Sequence, residues 1–347
     1  MVAMCVLENL TEFAAACIPS LTRDDRMLTL VVVAGRWQLP PAGAPLHGSP
    51  APAAVQGEVR LADEYIAGPS APLLLYEGQS AYTRPGTDLF MHGTAWAPGG
   101  RPTAHAAIEL RVGLFLKRAL VFGDRVWSRA LSGVRPSRPT PFQSLPLSYL
   151  RCFGGNPERA SRAVAEIAEH NPVGRGLHTR DRDAVDQPLP NFEDPAARIE
   201  SLTDLPRPCG FGPVARHWRP RRDHAGTYDA AWVEQRMPLW PADLDERFFS
   251  AAAPGLLAFP HLEGGEPVRI AGMAPAGAHE FSLPRVHLQV RFEANNGMTR
   301  KVMVLDAIHF EPDDATFTMV WRASIAADPL SVGAAVVRTL EPWELGR

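Results

Sequence analysis

The densest gathering of chemically capable side chains is the run Arg216-His-Trp-Arg-Pro-Arg-Arg-Asp-His224, followed directly by Ala225-Gly-Thr-Tyr-Asp-Ala-Ala-Trp232. Arginines beside aromatic rings can grip phosphate, stack on bases, or make two-pronged bonds to carboxylates. The whole chain carries 38 acidic against 35 basic side chains, a formal charge of −3. No global field gathers polyanions, so the carboxylate use is favoured, with Asp223, Asp229 and Glu234 as nearby partners. The same stretch offers Asp223, His224, Tyr228 and Asp229 as acid and base groups for a hydrolase, an alternative reading in which nothing about the spacing fixes their geometry. His217 and His224 lie in a proline-interrupted stretch that sets no metal geometry.

Other strings share this mixture of glycine, arginine, asparagine and aromatics. In Asn171-Pro-Val-Gly-Arg-Gly176 the glycines permit a tight turn that could present Arg175 to a partner, or simply stop a helix. Leu189-Pro-Asn-Phe-Glu-Asp-Pro195 and Gly210-Phe-Gly-Pro213 are rigid loops with one aromatic each, suited to recognition and equally to loop anchoring. The candidate partner-binding residues are therefore Asn171, Arg175, Asn191, Phe192, Phe211, Trp218, Arg219, Arg222, Tyr228 and Asp229. No catalytic residue, metal ligand set or cofactor is expected: G-x-S-x-G, H-E-x-x-H, the P-loop and a strand-linked G-x-G-x-x-G are all missing from the sequence.

The elements that must hold these loops read as strands. Val286, Leu288, Val290 and Phe292 alternate with His287, Gln289 and Arg291; Ile108, Leu110 and Val112 do the same, as do Phe317, Met319 and Trp321. The continuously apolar Leu28 to Val33 predicts a strand covered on both faces. One helix is expected over 158–170, with Ala160, Ala163, Val164 and Ile167 on one face, and a shorter one from a cap at Asp243, with Leu244 and Phe248 sharing a face. The expected fold is mainly β: two packed β-sandwich-like units, a candidate internal duplication, joined by a loop-rich middle carrying one or two short helices. The boundaries are 1–135, 136–264 and 265–347. A repeated pattern of glycine-proline turn, alternating strand and tryptophan in 25–135 and 265–330 suggests the duplication.

Twenty-eight glycines and 34 prolines beside an ordinary 46% hydrophobic content predict a packed core with many rigid turns. Cys5, Cys17, Cys152 and Cys209 have no C-x-x-C spacing and read as reduced thiols. Glu8 interrupts the apolar N-terminal stretch, no basic residue precedes it, and no run reaches membrane-span length. A bacterial cytoplasmic location with neither nucleic acid nor membrane as partner is the expectation.

Taken in order, Pro146-Leu-Ser-Tyr149, Phe153-Gly-Gly155, Asn171-Pro-Val-Gly-Arg-Gly176, Leu189-Pro-Asn-Phe-Glu-Asp-Pro195, Gly210-Phe-Gly-Pro213, Trp218-Arg-Pro-Arg221 and Ala225-Gly-Thr-Tyr-Asp-Ala-Ala-Trp232 resemble the family catalogued as domain of unknown function 2169. Gly123-Asp-Arg-Val-Trp127 and Arg247-Phe-Phe-Ser-Ala-Ala252 extend the likeness over most of the chain, with Cys209 standing where the family pattern has alanine. The resemblance implies a non-enzymatic adaptor or chaperone, encoded beside type VI secretion genes, that binds a PAAR-type effector and helps load it onto the spike protein. It brings no catalytic residues and leaves the binding surface and the oligomeric state unassigned. A secreted structural component of the spike is a further alternative.

Overall fold

The chain is described by a computed structural model over residues 5–45, 49–66, 72–156 and 161–344. It is mainly β. Among these residues, three sheets have four strands or more. The six-stranded sheet runs in the spatial order Leu257–Ala258, Thr87–Met91, Val304–Glu311, Thr316–Ile325, Met27–Gln38 and Ala14–Leu21. A five-stranded sheet is ordered Phe192–Glu193, Phe115–Phe122, His105–Val112, Pro267–Ala271 and His279–Ser282. The third has Val6–Asn9, Val332–Thr339, Leu288–Ala294 and Gly297–Val302.

Strands from the two ends of the chain share sheets. Val33 pairs with Trp321, Leu89 with Ile308, and Leu110 with Ile270, so the first and last thirds interleave. The alternating segments fall where their periodicity placed them: Leu288, Val290 and Phe292 point into the core while Gln289 and Arg291 face outward. Leu28 to Val33 is buried throughout, because Val31 and Val33 enter the main core while Leu30 and Val32 pack beneath Phe90, Ala251 and Val320 on the opposite face. Trp37 joins the layers, lying 5.1 Å from Phe13, 5.7 Å from Trp321 and 5.8 Å from Phe317, and Phe317 in turn meets Phe281 at 5.1 Å.

Gly297–Val302 is a fully exposed edge strand. Arg300 and Lys301 sit on it, a charge placement that discourages pairing with a second copy of the same edge. No described helix is long and apolar enough to cross a membrane.

The middle of the chain has its own small core of Trp127, Val134, Phe153, Ala168, Leu177, Ala184, Leu189 and Ile199. The helix expected over 158–170 is found as Arg162–Ala168, with Ser161 as cap; residues 157–160 lie outside the described ones. The shorter helix is a 3-10 turn, Glu246–Phe249, and its cap is Asp245 rather than Asp243. Asp243 is committed elsewhere, accepting from the amide and hydroxyl of Thr227 at 2.9 and 2.7 Å. Two helices escaped the sequence reading, Asp181–Ala184 and Ala230–Gln235, both too short for an apolar period to show.

Candidate functional site

The glycine- and arginine-rich strings assemble into one interlocked polar hub. Asn171 is buried, and its amide donates to the carbonyls of Tyr149 and Phe153 at 2.8 and 3.1 Å. Arg175 donates through Nε to Leu150 O at 2.8 Å. Asn191 donates to Phe122 O and to Asp124 Oδ1 at 2.9 and 3.0 Å and accepts from Arg151 at 3.0 Å. Arg125 reaches Pro190 O at 2.9 Å, pairs with Glu193 and covers the Phe122 ring at 4.0 Å. Trp127 Nε1 donates to Gly176 O at 3.2 Å. Each string thus satisfies the backbone of another, which is what buried loop backbone requires.

The glycines record how closely these strings approach. A Cβ at Gly123 would overlap the Thr140 carbonyl oxygen, and one at Gly210 would overlap the Tyr149 ring. Gly123→Ala is accordingly expected to cost about 1–3 kcal/mol, the usual range for forced overpacking. Thermal unfolding checks this, and an unchanged midpoint would contradict it.

Five of the ten candidate contact residues are therefore inward. Asn171, Asn191, Phe192, Phe211 and Trp218 are all buried, Trp218 against Tyr149 at 5.3 Å, and their side chains brace the hub instead of facing a partner. Arg175 is half-buried and tied to Leu150. Arg219 is half-buried as well, and the outward remainder is Arg222, Tyr228 and Asp229.

The cationic run is paired internally, though mostly with carboxylates far away in the sequence. Arg219 contacts Glu166, Glu169 and Asp223 at 3.4, 2.9 and 3.2 Å, and Arg222 meets Glu169 at 2.8 Å. The Arg222 hydrogen bond, with the charges of Arg222, Arg219 and His170, holds the Glu169 carboxyl below its ordinary range. Arg216 and Arg221 turn the other way, onto Glu77, with Arg216 at 3.2 Å. Of the three nearby carboxylates, Asp223 alone is an ion-pair partner for the run; Asp229 instead caps the helix Ala230–Gln235 by accepting from Trp232 N at 2.8 Å.

That short helix stands on the surface with none of its residues buried. Tyr228, Val233 and Met237 are 50%, 55% and 62% exposed, and the Tyr228 ring meets Trp232 edge-on at 4.7 Å. Its base is firmly held. Thr227 is bound to Asp243, Trp232 Nε1 donates to Leu239 O at 2.9 Å, Arg236 pairs with Asp25 at 2.9 Å, and Trp240 Nε1 reaches Leu21 O at 3.2 Å. On either side of it in sequence, Ala225 and Trp240 pack against a core of Leu28, Tyr82, Leu244, Phe248 and Phe249.

A family profile described as an uncharacterized protein conserved in bacteria (DUF2169) matches residues 24–322. The chain belongs to this family. No curated protein and no solved structure is matched by the chain. The DUF2169 match takes in the whole hub and the surface helix, while the strands Val6–Asn9 and Val332–Thr339 fall outside it.

Within the DUF2169 segment, the four residues that could have served a hydrolase are engaged separately. Asp223 is paired with Arg219, His224 lies 3.6 Å from Asp245, Tyr228 packs on Trp232, and Asp229 is a helix cap. Asp245 is itself held down to about 2 by Arg247. Among the described residues no group of three or more His, Cys, Asp or Glu could hold a metal ion. Cys152 and Cys209 are free thiols at the hub, Cys152 Sγ lying 3.4 Å from Cys209 O.

A buried charge network of this DUF2169 chain, announced by no motif, is formed by Glu77, Arg84, Asp88, Arg221, Asp306 and Arg322. Arg84 meets Glu77 at 3.1 Å and Asp306 at 3.9 Å and pairs with Asp88, which also accepts from Ser250 Oγ at 2.6 Å and Ala251 N at 2.8 Å. Arg322 pairs with Asp306 and donates to Gln79 O at 3.1 Å. The network nails the middle of the chain to strands from both ends. Its signal was present: Asp88, Asp306 and Arg322 are charges inside otherwise apolar strands, an arrangement that burial makes costly without a partner.

Proposed function

We propose that this chain is a non-enzymatic adaptor that, inside the bacterial cell, binds a PAAR-type effector of type VI secretion and helps load it onto the spike protein. One observation carries the binding half of this reading: a braced surface segment around the helix Ala230–Gln235 that exposes Tyr228, Val233 and Met237, with Arg222 exposed earlier in the same run. Aromatic, methionine and arginine side chains on a rigid base are the composition of interface anchors, since little ordering entropy is lost when they dock. The type VI half rests on what the resemblance of the ordered strings implies.

The test is co-purification of the full chain with the effector encoded beside its gene. Tyr228→Ala is expected to weaken that complex about 30-fold, the effect of losing one anchor worth about 2 kcal/mol, with the unfolding midpoint unchanged. Failure to capture any neighbouring effector or spike protein would sink the adaptor reading. Unaltered binding by both Tyr228→Ala and Val233→Asp would move the contact away from this helix.

A further inference from the structure

Cys5 stands four residues before Asn9 and Cys17 four residues after Phe13, the two ends of a braced turn. Asn9 Nδ2 donates to Phe13 O at 2.6 Å, Thr11 donates to Asn9 Oδ1 through its amide at 3.1 Å and its hydroxyl at 2.8 Å, and the buried Phe13 ring lies against Trp37. The strands leaving this turn enter different sheets. Val6–Asn9 is an edge of the four-stranded sheet and Ala14–Leu21 an edge of the six-stranded one. Their equal spacing from the turn brings the two thiols together as hydrogen-bond partners.

Both are free, half-buried thiols, and both line an apolar pocket of about 270 Å³ beside Met27, Pro329 and Leu330. Met27 and Leu330 are 47% and 59% exposed, so the pocket opens on water and admits a small reagent. Cys152 and Cys209 are buried at the hub, away from this opening. The paired thiols are not equivalent. Burial, then the hydrogen bond and charge of Cys5, pushes Cys17 up to about 12, whereas at Cys5 the hydrogen bond from Cys17 opposes the rise that burial causes. Cys5 therefore ionises first, and capping its sulfur removes the charge that holds the Cys17 proton in place.

We propose that Cys5 and Cys17 form a reactive dithiol, a modification site that a low-molecular-weight aliphatic disulfide converts into an intramolecular disulfide. The Cys5 thiolate attacks one reagent sulfur, breaking the reagent's S–S bond and releasing its other half as a thiolate that takes up a proton. Cys17 yields its proton to solvent and attacks the Cys5 sulfur, forming the protein S–S bond and expelling the second reagent half. The protein gives up two electrons and two protons, and the reagent leaves as two thiols. The new bond staples the edges of two sheets, and excess small thiol reverses it. Both cysteines precede the family match at residues 24–322, so the site belongs to this chain's own N-terminal strands.

The test treats the folded full chain with cystamine, caps remaining thiols with iodoacetamide in denaturant, and maps peptides after cleavage at glutamate, which separates Cys5 from Cys17 at Glu8 and Glu12. The expected product has lost two cappable thiols, keeps no cysteamine, and links the peptide ending at Glu8 to the one beginning at Phe13. Cys17→Ser should instead retain one cysteamine on Cys5, and Cys5→Ser should leave Cys17 capped by iodoacetamide. The oxidised chain should also unfold at a higher urea midpoint than the reduced chain, a rise that Cys17→Ser lacks. Four capped thiols, cysteamine retained on the unaltered chain, or a cross-link through Cys152 or Cys209 overturns the proposal, as does an unchanged midpoint on oxidation. The peptide map of the unaltered chain decides the matter even where a serine variant folds poorly. Nothing in this chemistry depends on effector capture through Tyr228, so the adaptor reading can fail while this site stands.

Discussion

Glu77→Ala should lower the unfolding free energy by about 3–5 kcal/mol, the range observed when one member of a buried ion-pair network is removed. Glu77 is 3% exposed; Oε2 takes Arg84 at 3.1 Å and Oε1 takes Arg216 at 3.2 Å as well as the buried Arg221. Burial by itself would raise its pKa, but the charges of Arg221 and Arg84 outweigh burial and hold the carboxyl below its ordinary range. Without it, the buried guanidiniums of Arg84, Arg221 and Arg322 face only Asp88 and Asp306. The excess positive charge has no water to spread into, so the penalty exceeds the loss of any single bond. Urea unfolding measures the effect, and Glu77→Gln, which keeps shape and hydrogen bonding, should fall between wild type and alanine. A loss under about 1 kcal/mol for alanine would show that the network contributes little.

Acid should weaken the fold well before the carboxylates titrate. His309 is buried and stacked on Phe90 at 4.6 Å, with His92 at 6.0 Å and Tyr76 at 5.9 Å. Burial, then the neighbouring charges of His92, Arg60 and Arg84, pushes His309 well below the ordinary histidine range; burial and Arg60 push His92 down to about 3. Both rings stay neutral in the folded chain, whereas in the unfolded chain they take up protons near pH 6.5. The unfolded state therefore binds more protons as pH falls, and stability is lost below about pH 6.5 at a rate approaching 1.4 kcal/mol per pH unit for each histidine. His170, His178, His217 and His279, also lowered by burial, add with the same sign. Glu77, whose pKa is depressed, acts later: its contribution is present above the ordinary carboxylate range and is lost as pH drops through its folded value. Unfolding free energies measured between pH 7.5 and 5 should slope downward, and the slope should be visibly shallower in His92→Phe, His309→Phe. An identical slope in that variant would place the effect elsewhere.

How far the fold was legible in the sequence depended on whether the information was local. Period-two alternation at Ile108 to Val112 and at Leu288 to Phe292 reports one buried face and needs no knowledge of the partner strand. The continuously apolar Leu28 to Val33 likewise announced a strand buried on both sides. Pairing was not local. That Val33 would face Trp321 and Leu89 would face Ile308 follows from how distant segments meet. Cap assignment failed by two residues because Asp243 and Asp245 have equal cap chemistry, and only the bond from Thr227 to Asp243 separates them.

The site was harder, for a chemical reason. Glycine, arginine, asparagine and aromatic residues in loops build recognition surfaces, and the same residues build buried hubs where one loop satisfies another's backbone. Asn171 and Trp218 turned inward, Tyr228 turned outward, and nothing in their neighbouring residues distinguishes the two outcomes.

The interleaving of the two ends sets a timetable for synthesis. Arg36 and Thr316, hydrogen-bonded at 3.0 Å across adjacent strands, are 280 residues apart. A ribosome adding about 5–20 residues per second needs on the order of a quarter to a full minute to bring the second into being after the first. Throughout that interval the hairpin of Ala14–Leu21 with Met27–Gln38 has its inner edge open and Leu30 to Val33 without their cover. The nascent chain must therefore keep its stickiest segment shielded, or idle on the ribosome, until almost the last strand emerges.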